Sequence, residues 1–462
     1  MRERDITWGP TYQEMFDPSL VGEGMREEAL RVRNRAELWP ADLFNITWRD
    51  ERGRVRAIRL PPELTGVGAN ILVLIGKDFP SGSHKVGPAY SALMEAELDG
   101  EILPGQATIV APSSGNLGIG VAYVGRIKGY GVRVVMPEAM NEERREHIRQ
   151  YGAELDLTPG GEGELVETLR YARERYGSDP AFRVVNQFEV LANYRFHRYV
   201  TGRSALEAAA GYGDGGVTAF VSAPGSAGTL AAGDEIKARF AEATVVAVEP
   251  KEAPFLFCGR SGDHRIGGIA DGLVSLIHNV LNTDYVLLVS QEDCLQGLRV
   301  IQEGPEVLTR VLGVPEATAH SLVGLFGPSG VCNVLGAIKA VKALNIPAGH
   351  NVVTVATDGF DRYPSVLAGL GANGGPADQA ALRLWARRVF HGVDAQDVRD
   401  LRPAEEKERL FRQKEGLWRQ FGYPPEYLAA MRSPAFWEEE YVKVADYDNR
   451  LLQQRGELID KR

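Results

Sequence analysis

Residues 71–85 of the chain read ILVLIGKDFPSGSHK, and this stretch decides the fold. Its first five residues, 71–75, form a continuous apolar run, which is typical of a strand buried on both faces of a parallel sheet. Glycine, proline and serine then interrupt the run at 76–83 and favour a turn. After Lys85 the apolar spacing becomes helical, at Val86, Tyr90, Leu93 and Met94. The stretch therefore predicts a buried strand, a turn and a helix, with Lys85 at the junction.

Lys85 is the residue of chemical interest in this stretch. Open parallel sheets place their ligand crevices beyond the carboxyl ends of the strands, where this lysine is expected to lie. A single lysine in such a loop is commonly a solvated surface residue, and the other possibility is a covalent anchor for a cofactor. The stretch alone leaves both interpretations open.

Length and composition limit the class of protein. The 462 residues are too many for one ordinary hydrophobic core and favour two domains with extensions. The apolar content of 44% and the charged content of 25% are typical of a globular protein. A formal net charge of -10 argues against nucleic acid or an anionic membrane as the main partner. We therefore expect a small-molecule substrate.

Cysteine usage and the first residues indicate a cellular compartment. Cys258, Cys294 and Cys332 are far apart and form no CxxC pair, which fits a reducing cytoplasm, and each is expected to be a small apolar residue. The charged start, MRERD, is followed by no apolar segment of the signal-peptide type, and no run is long enough to span a bilayer. We expect a cytoplasmic protein without membrane contact.

Three regions of the chain differ in pattern. Residues 1–65 mix aromatic, charged and proline residues and are expected to wrap the core or a neighbouring subunit. Residues 66–376 alternate short apolar strands with amphipathic helices, which predicts parallel sheets covered on both faces. Residues 377–462 lack this alternation of strands and show charged amphipathic helices, so we expect a helical C-terminal extension.

Two further turns follow predicted strands. The first, APSSGNLG at 111–118, opens a helix, and its backbone amides could hold an anionic group or could be an ordinary helix cap. The second, APGSAGT at 223–229, suits a phosphate because successive amides and the hydroxyls of Ser226 and Thr229 converge. It is not a Walker A loop, since the Gly-Lys-Ser/Thr ending is missing. A lysine at one strand–helix junction and a phosphate nest without basic residues at another favour pyridoxal phosphate, bound as a Schiff base.

The order of these motifs resembles the cysteine synthase branch of the fold-type II pyridoxal-phosphate enzymes, a superfamily that also includes tryptophan synthase β. The motifs are PSGSHK at 80–85, SSGN at 113–116, MPEAMNEERR at 136–145, NQF at 186–188, GSAGT at 225–229 and HRIGGI at 264–269. The resemblance extends over roughly residues 70–365. It implies an α/β fold in which the core, 66–376, has two three-layer subdomains with parallel or mixed sheets. The smaller subdomain would occupy about 105–200.

The resemblance also implies roles for individual residues. Lys85 would form the internal aldimine and later move the substrate Cα proton, and Asn116 would hydrogen-bond the 3-hydroxyl of the cofactor. The phosphate would lie on Gly225, Ser226, Ala227, Gly228 and Thr229. The substrate α-carboxylate would lie on the turn of Ser113, Ser114 and Gly115, with Leu117 beside it, and on Gln187. Either Ser329 or Thr357 would face the pyridine nitrogen, and this choice stays open.

Several residues depart from the family pattern, among them the strand end at 357–363, where Asp358 lies next to a candidate pyridine partner. Leu117 stands where threonine is usual, which removes a hydroxyl from the carboxylate-binding turn. His84 replaces an apolar residue before the lysine and is either a proton shuttle or a structural hydrogen-bonding group. Asp271 stands where a small residue is usual and is either a catalytic carboxylate or an aspartate that caps its own turn. His264 and His278 have no companions at metal-ligand spacing, so no metal site is expected.

These observations predict a pyridoxal-phosphate-dependent lyase or transferase. The reaction would be β-elimination or β-replacement on a small L-amino acid through an aminoacrylate, and a homodimer is expected. A hydroxyl opposite the pyridine nitrogen makes the ring a weaker electron sink than a carboxylate would, which suits loss of a β-substituent more than transamination. Three alternatives remain. They are an ammonia-lyase or dehydratase of the serine, threonine or diaminopropionate type, a thiolase-like acyl-transferring subunit that needs a partner, and a non-catalytic binding protein.

Overall fold

The computed structural model describes residues 6–33, 35, 37–113, 115–161, 165–369 and 377–456. The strands are β1 (Ala57–Arg59), β2 (Asn70–Ile75), β3 (Thr108–Pro112), β4 (Gly131–Pro137), β5 (Glu154–Thr158), β6 (Phe182–Val184), β7 (Ala219–Ser222), β8 (Thr244–Pro250), β9 (Tyr285–Val289), β10 (Asn351–Ala356) and β11 (Val398–Asp400).

The helices follow in chain order. They are α1 (Tyr12–Phe16), α2 (Glu23–Val32), α3 (Pro62–Thr65), α4 (Val86–Leu98), α5 (Asn116–Lys128), α6 (Glu142–Gln150), α7 (Leu165–Tyr176), α8 (Leu191–Phe196), α9 (Gly202–Ala209), α10 (Ala232–Arg239), α11 (Phe255–Cys258), α12 (Gln291–Glu303), α13 (Pro305–Val307), α14 (Glu316–Ser321), α15 (Pro328–Ala343), α16 (Pro364–Ala368), α17 (Gln379–Trp385), α18 (Ala404–Gln420), α19 (Pro425–Ala430) and α20 (Pro434–Gln454). None of the helices in the described ranges is long and apolar enough to cross a membrane.

The strands form two sheets. The larger has the order β1-β2-β10-β7-β8-β9-β11, and the smaller has the order β5-β4-β3-β6. All pairs in the smaller sheet are parallel, and in the larger sheet only the edge strands β1 and β11 run antiparallel to their neighbours. The predicted α/β class with parallel and mixed sheets is confirmed.

Strand β2 shows why the opening stretch has its apolar composition. Every residue of β2 is buried, because β1 and β10 flank it and helices cover both faces. Its register with β10 pairs Ile75 with Ala356, so the loop before Lys85 and the residues after β10 emerge at the same edge. Parallel pairing thereby brings segments that lie 281 residues apart in the chain to one crevice.

The two ends of the chain pack over the same helix. Tyr12 and Trp48 from the N-terminal segment and Leu451 from α20 share one hydrophobic core with the buried residues of α4. Asp448 of α20 accepts hydrogen bonds from the first amides of α1, at 2.7 Å from Tyr12 N. Because α4 begins directly after Lys85, both ends of the chain support the helix that carries this lysine. The predicted boundaries at residues 65 and 376 stay predictions.

The C-terminal extension contains one element that the sequence did not reveal. Strand β11 pairs antiparallel with β9, with Val398 opposite Leu287, and so extends the larger sheet. The expectation that strands end before residue 377 is wrong at this point. A strand of three residues, two of which are charged, is too short and too polar to produce a recognisable strand pattern. The rest of the extension is helical, as expected.

Candidate active site

Lys85 lies between two loops at the carboxyl ends of the strands. It occupies the N-cap position of α4, and its Nζ donates to Gln187 Oε1 at 3.2 Å and to Ser226 Oγ at 3.3 Å. Both acceptors are neutral, and one belongs to the predicted carboxylate site and the other to the predicted phosphate loop. The structure therefore brings together three residues that the sequence had assigned to separate motifs.

Burial changes the ionisation of this lysine. Removal from water lowers the pKa of Lys85 to about 8, while the negative charge of Asp271 acts to raise it. An amine with this pKa is substantially neutral near pH 8, and the neutral amine is the nucleophilic form.

In the loop after β7, two glycines lie so close to neighbouring atoms that a side chain would collide with them. A Cβ on Gly225 would lie 2.5 Å from the carbonyl oxygen of Gly268 and 2.9 Å from Asp271 Oδ2, and a Cβ on Gly228 would collide with Asn193 Oδ1. Ala227 adopts a φ of 62°, which turns successive amides toward one side. These contacts hold a narrow backbone cradle in place, and neither glycine has room for a side chain.

Asn116 belongs to a buried polar network at the start of α5. Its Nδ2 donates to Asp358 Oδ2 at 2.6 Å, and its Oδ1 accepts from Arg362 Nη1 at 2.7 Å. Tyr363 OH donates to the same Asp358 oxygen at 2.6 Å. Burial raises the pKa of Asp358, and the charge of Arg362 opposes that rise. The network fixes the amide of Asn116 in one orientation.

The two candidate hydroxyls of the pyridine site lie together. Ser329, at the start of α15, and Thr357, directly after β10, have their hydroxyl oxygens 3.0 Å apart. Thr357 Oγ1 also lies 3.5 Å from Asp358 Oδ1. The structure thus places Ser329, Thr357 and Asp358 in one hydrogen-bonded line.

Comparison with models of protein families shows which family the chain belongs to. Residues 52–358 match the family described as pyridoxal-phosphate dependent enzyme. The chain belongs to this family. Its cofactor is therefore pyridoxal phosphate, as the sequence predicted.

Named relatives are similar over the same part of this pyridoxal-phosphate dependent enzyme. A cysteine synthase from Staphylococcus aureus is 31% identical over 316 residues, which are 68% of this chain and 93% of that protein. A probable cysteine synthase from Bacillus subtilis is 33% identical over 312 residues, 67% of this chain and 92% of that protein. The crystal structure of a hydrogen sulfide-producing enzyme from Fusobacterium nucleatum aligns with a TM-score of 0.57 at 25% identity, over 66% of this chain and 95% of that one.

The described residues fit pyridoxal phosphate. The cradle at residues 225–229 has the backbone shape of a phosphate site, and the amine of Lys85 donates to two neutral acceptors, Gln187 Oε1 and Ser226 Oγ. Two buried polar atoms near the cradle, His197 Nε2 and Asn193 Oδ1, have no hydrogen-bond partner within the described residues. A site that leaves such atoms unpaired is suited to a polar ligand.

The turn predicted to hold the substrate carboxylate is only partly described. Ser114 lies outside the described residues. Ser113 Oγ accepts from the amides of Gly115 and Gly118, each at 3.1 Å, so this hydroxyl caps α5. The side chain of Leu117 is buried in the hydrophobic core, where it offers no polar atom. A Cβ on Gly115 would lie 2.6 Å from Arg144 Cδ, which explains the glycine.

His84 is buried behind Lys85 in an aromatic cluster. Its Nδ1 donates to the carbonyl oxygen of Thr357 at 3.2 Å, and its ring stacks on Trp48 at 5.8 Å and meets His197 edge-on at 5.0 Å. Burial lowers the pKa of His84 to about 3, with the charge of Lys85 acting in the same direction. The imidazole is therefore neutral at physiological pH, which favours the structural interpretation over the proton shuttle.

Asp271 lies against the phosphate cradle and is only 4% exposed. It belongs to a turn in which Ala270, at φ 54°, and Gly272, at φ 72°, adopt left-handed backbone conformations, and Ala270 N donates to Pro224 O at 2.8 Å. Its carboxylate is close enough to Lys85 to raise the pKa of that amine. The structure therefore brings this carboxylate to the site, whichever of its two predicted roles applies.

Asn193 is a residue that the sequence analysis missed. Its Nδ2 donates to Gln187 O at 2.9 Å and to Ser226 Oγ at 3.0 Å, so it ties together the two residues that contact Lys85. It lies inside α8, where a buried asparagine shows no distinctive pattern in a single sequence. Trp48, which stacks on His84, was missed because it belongs to the N-terminal segment, far from every motif.

The C-terminal extension supports the loop that contains Asp271. Trp418 Nε1 donates to the carbonyl oxygen of Val274 at 2.9 Å, and Lys414 Nζ donates to that of His278 at 3.0 Å. Trp418 packs in a hydrophobic cluster with Phe188, the neighbour of Gln187. The extension therefore stabilises two active-site loops from behind.

Proposed function

We propose that the protein carries out β-elimination or β-replacement on a small L-amino acid, with Lys85 as the lysine that binds the cofactor. The observation that carries the proposal is the position of Lys85 Nζ, 3.2 Å from Gln187 Oε1 and 3.3 Å from Ser226 Oγ. The cysteine synthases among the relatives, which are matched over most of their own length, support a reaction at the β-carbon.

The residues around Lys85 would each bind a different part of the cofactor. The amides of residues 225–229 would hold the phosphate, Asn116 would hold the ring hydroxyl, and the Ser329–Thr357 pair would hold the pyridine nitrogen. When bound, pyridoxal phosphate withdraws electrons from the Cα of an attached amino acid. A hydroxyl of Ser329 or Thr357 at the nitrogen, rather than a carboxylate, would make this withdrawal moderate, which suits loss of a β-substituent.

Lys85 acts as the base that takes the Cα proton. In the cofactor-free protein the pKa of Lys85 is about 8, so a large share of this amine is neutral near pH 8 and able to accept a proton. Gln187 Oε1 and Ser226 Oγ accept hydrogen bonds from Nζ and hold it in place. The proton would go to Nζ, the electron pair of the Cα–H bond would form a Cα–Cβ double bond, and the β-substituent would leave with the electrons of its own bond.

The substrate carboxylate binds at the N-terminus of α5. The backbone amides there favour an anion, and Gln187 closes the other side. Leu117 contributes no hydroxyl, so this site has fewer side-chain donors than the family pattern and relies more on the backbone.

An ammonia-lyase reaction is the second candidate, and the position of Asp271 favours it. A buried carboxylate beside the cradle could bind a second amine or donate a proton to a leaving group. Elimination without an added nucleophile would then release ammonia and a keto acid.

A screen of amino acids with and without sulfide separates these reactions. Serine, threonine, diaminopropionate and O-acetylserine are incubated with the cofactor-loaded protein, and cysteine, keto acid and ammonia are measured. Cysteine formation that requires sulfide supports β-replacement, and keto acid with ammonia in the absence of sulfide supports β-elimination of the ammonia-lyase type. No product from any of them would contradict both. Full activity of the isolated chain would exclude a subunit that needs a partner.

Borohydride trapping tests the role of Lys85 itself. The reagent should attach the cofactor covalently to a peptide that contains Lys85, and Lys85→Ala should abolish the attachment. Trapping that persists in Lys85→Ala would contradict the assignment and support a non-catalytic binding protein.

We further propose a cytoplasmic homodimer. Leu20, Met25 and Trp39 of the N-terminal segment are large apolar residues with at least 37% exposure, which a subunit contact would cover. Cys258, Cys294 and Cys332 are free thiols, which suits a reducing compartment. Light scattering of the wild-type protein and of Trp39→Ser tests the dimer, and a monomeric wild-type protein would contradict it. Cell fractionation tests the compartment, and a secreted protein would contradict the cytoplasmic location.

A further inference from the structure

Arg362 is a buried arginine that joins two parts of the candidate active site. It ends the short helical turn Phe360–Arg362, which follows β10, and only 1% of it is exposed. Its Nη1 donates to Asn116 Oδ1 at 2.7 Å, and its Nη2 donates to the carbonyl oxygen of Ser81. One guanidinium group therefore connects the start of α5 to the loop that leads to Lys85.

The packing around Arg362 holds its guanidinium in place. A Cβ on Gly82 would collide with Arg362 Nη2, and Gly82 has a φ of 74°, so the lysine loop needs a glycine at this position. On the backbone side, Asn141 Nδ2 donates to the carbonyl oxygen of Arg362 at 2.7 Å. Contacts with several segments thus fix the direction in which this arginine offers its N–H groups.

The contact with Arg362 determines which way the amide of Asn116 points. A guanidinium group only donates hydrogen bonds, so the atom of Asn116 that faces it must be the oxygen. The amide nitrogen then points the other way, where Nδ2 donates to Asp358 Oδ2 at 2.6 Å. The second N–H of Nδ2 has no hydrogen-bond partner within the described residues, and Asn116 is only partly buried. This N–H is therefore available to a ligand.

Asn116 lies on the face of α5 that contacts the start of α4. A Cβ on Gly120 would lie 3.1 Å from the carbonyl oxygen of Lys85 and 3.1 Å from Val86 Cα. Residues four apart in a helix share a face, so Asn116 lies on the same side of α5 as Gly120. The amide is thus on the side of the helix that faces Lys85, as contact with a cofactor held by this lysine requires.

Arg362 also acts on Asp358, the other partner of the Asn116 amide. Burial raises the pKa of Asp358, and the positive charge of Arg362 opposes that rise. Tyr363 OH donates to the same carboxylate oxygen at 2.6 Å, which suits the ionised form. Without the arginine, this buried carboxyl would take up a proton more readily and could then donate to Asn116 instead of accepting from it. Arg362 therefore fixes the amide both directly and through Asp358.

We propose that Arg362 is a positioning residue that keeps an N–H of Asn116 directed at the ring hydroxyl oxygen of pyridoxal phosphate. The inference rests on the proposed function, in which Asn116 binds this oxygen. A donated N–H stabilises the ionised form of the oxygen, whereas the amide oxygen would favour the protonated form. Hydrogen bonds of this kind tune the electronic state of a cofactor. Arg362 thereby sets the protonation state of the ring oxygen without touching the cofactor.

The absorption spectrum of the cofactor-loaded protein tests this inference without any substrate. The bound cofactor absorbs visible light when its ring oxygen is ionised and near-ultraviolet light when that oxygen carries the proton. Arg362→Met removes the donor, so the ratio of the visible to the near-ultraviolet band should fall about fivefold, the effect expected for loss of one hydrogen bond. Arg388→Met is the matched control, because Arg388 is 45% exposed and pairs with Asp293, and it should leave the ratio unchanged.

A double variant separates this role from a purely structural one. In the Asn116→Ala background, Arg362→Met should not change the ratio further, because the arginine acts through the amide. An equal fall in both backgrounds would overturn the inference and would assign the effect to the contact with Ser81. Arg362→Lys keeps a group that only donates, so it should restore most of the wild-type ratio even if Arg362→Met folds poorly. A ratio in a folded Arg362→Lys as low as that of Asn116→Ala would also overturn the inference.

The outcomes distinguish this inference from the proposed function. A wild-type protein that binds no cofactor, or that borohydride does not trap at Lys85, would overturn both. A wild-type protein that shows the visible band, with a ratio that Arg362→Met leaves unchanged, would overturn this inference alone.

Discussion

The hydroxyl oxygens of Ser329 and Thr357 lie 3.0 Å apart, although 28 residues separate them in the chain. The sequence left open which of the two faces the pyridine nitrogen. Each hydroxyl can donate a hydrogen bond to the other, so the hydroxyl at the pyridine nitrogen would be oriented by the second one. Asp358 Oδ1 lies next to this pair, 3.5 Å from Thr357 Oγ1. The two hydroxyls therefore act as a unit.

Ser329→Ala and Thr357→Val should have non-additive effects. Each single variant removes one hydroxyl of the pair, and we expect each to lower kcat/KM about tenfold, or about 1.4 kcal/mol. The double variant should be little worse than the poorer single variant, with a coupling energy of about 0.5–3 kcal/mol for residues in contact. Steady-state kinetics on the four proteins measure the coupling, and strictly additive losses would contradict a shared role.

The ionisation of Lys85 should appear as a pH dependence of stability in the cofactor-free protein. Its pKa is about 8 in the folded protein and 10.5 for a lysine exposed to water, as in the unfolded chain. Between these values the unfolded chain binds more protons than the folded protein, so stability rises with pH. The gain is on the order of 3 kcal/mol across this window, since one pKa unit corresponds to about 1.4 kcal/mol.

Urea unfolding at pH 7.5 and pH 10.5 measures this effect against Lys85→Met. The buried Lys407 and Lys414 also have lowered pKa values and are present in both proteins, so their contribution cancels in the difference. An identical pH dependence in the variant would show that Lys85 is not responsible.

Gly228→Ala should weaken cofactor binding. The added methyl group would collide with Asn193 Oδ1 and lie 2.8 Å from His197 Cδ2, so the cradle must open. We expect at least a tenfold weaker affinity, about 1.4 kcal/mol, measured by fluorescence titration with pyridoxal phosphate. Gly416→Ala is the matched control. No atom lies within 4 Å of its Cβ position in α18, and it should leave binding unchanged while stabilising the helix by about 0.5–1 kcal/mol.

Trp418→Phe should destabilise the protein and disturb the site from a distance. Phenylalanine cannot donate to the carbonyl oxygen of Val274, and leaving that buried group unpaired costs about 1–3 kcal/mol. Urea unfolding measures this loss, and a higher KM for the amino acid would show that the Asp271 loop has shifted. Leu384→Ala is the control, because Leu384 lies in the same extension and is 64% exposed. Equal stability of the two variants would contradict a supporting role for the extension.

Short-range patterns explain which features the sequence predicted correctly. The buried strand at 71–75, the turn at 223–229 and the position of Lys85 between a strand and a helix each depend on a few neighbouring residues, and all of these elements were found where expected. Asn193 and Trp48 were missed because a buried asparagine in a helix and a tryptophan in an irregular segment carry no local signal. Strand β11 was missed because its pairing with β9 depends on a partner more than a hundred residues earlier.

The sequence by itself determined that a lysine follows a buried parallel strand and that a glycine cradle follows another, because strand burial and turn chemistry are local properties. Only the tertiary structure decided that Gln187 and Ser226 both reach Lys85 and that Asn116 meets Asp358. These contacts join positions between 102 and 242 residues apart, and their proximity follows from the order and register of the strands.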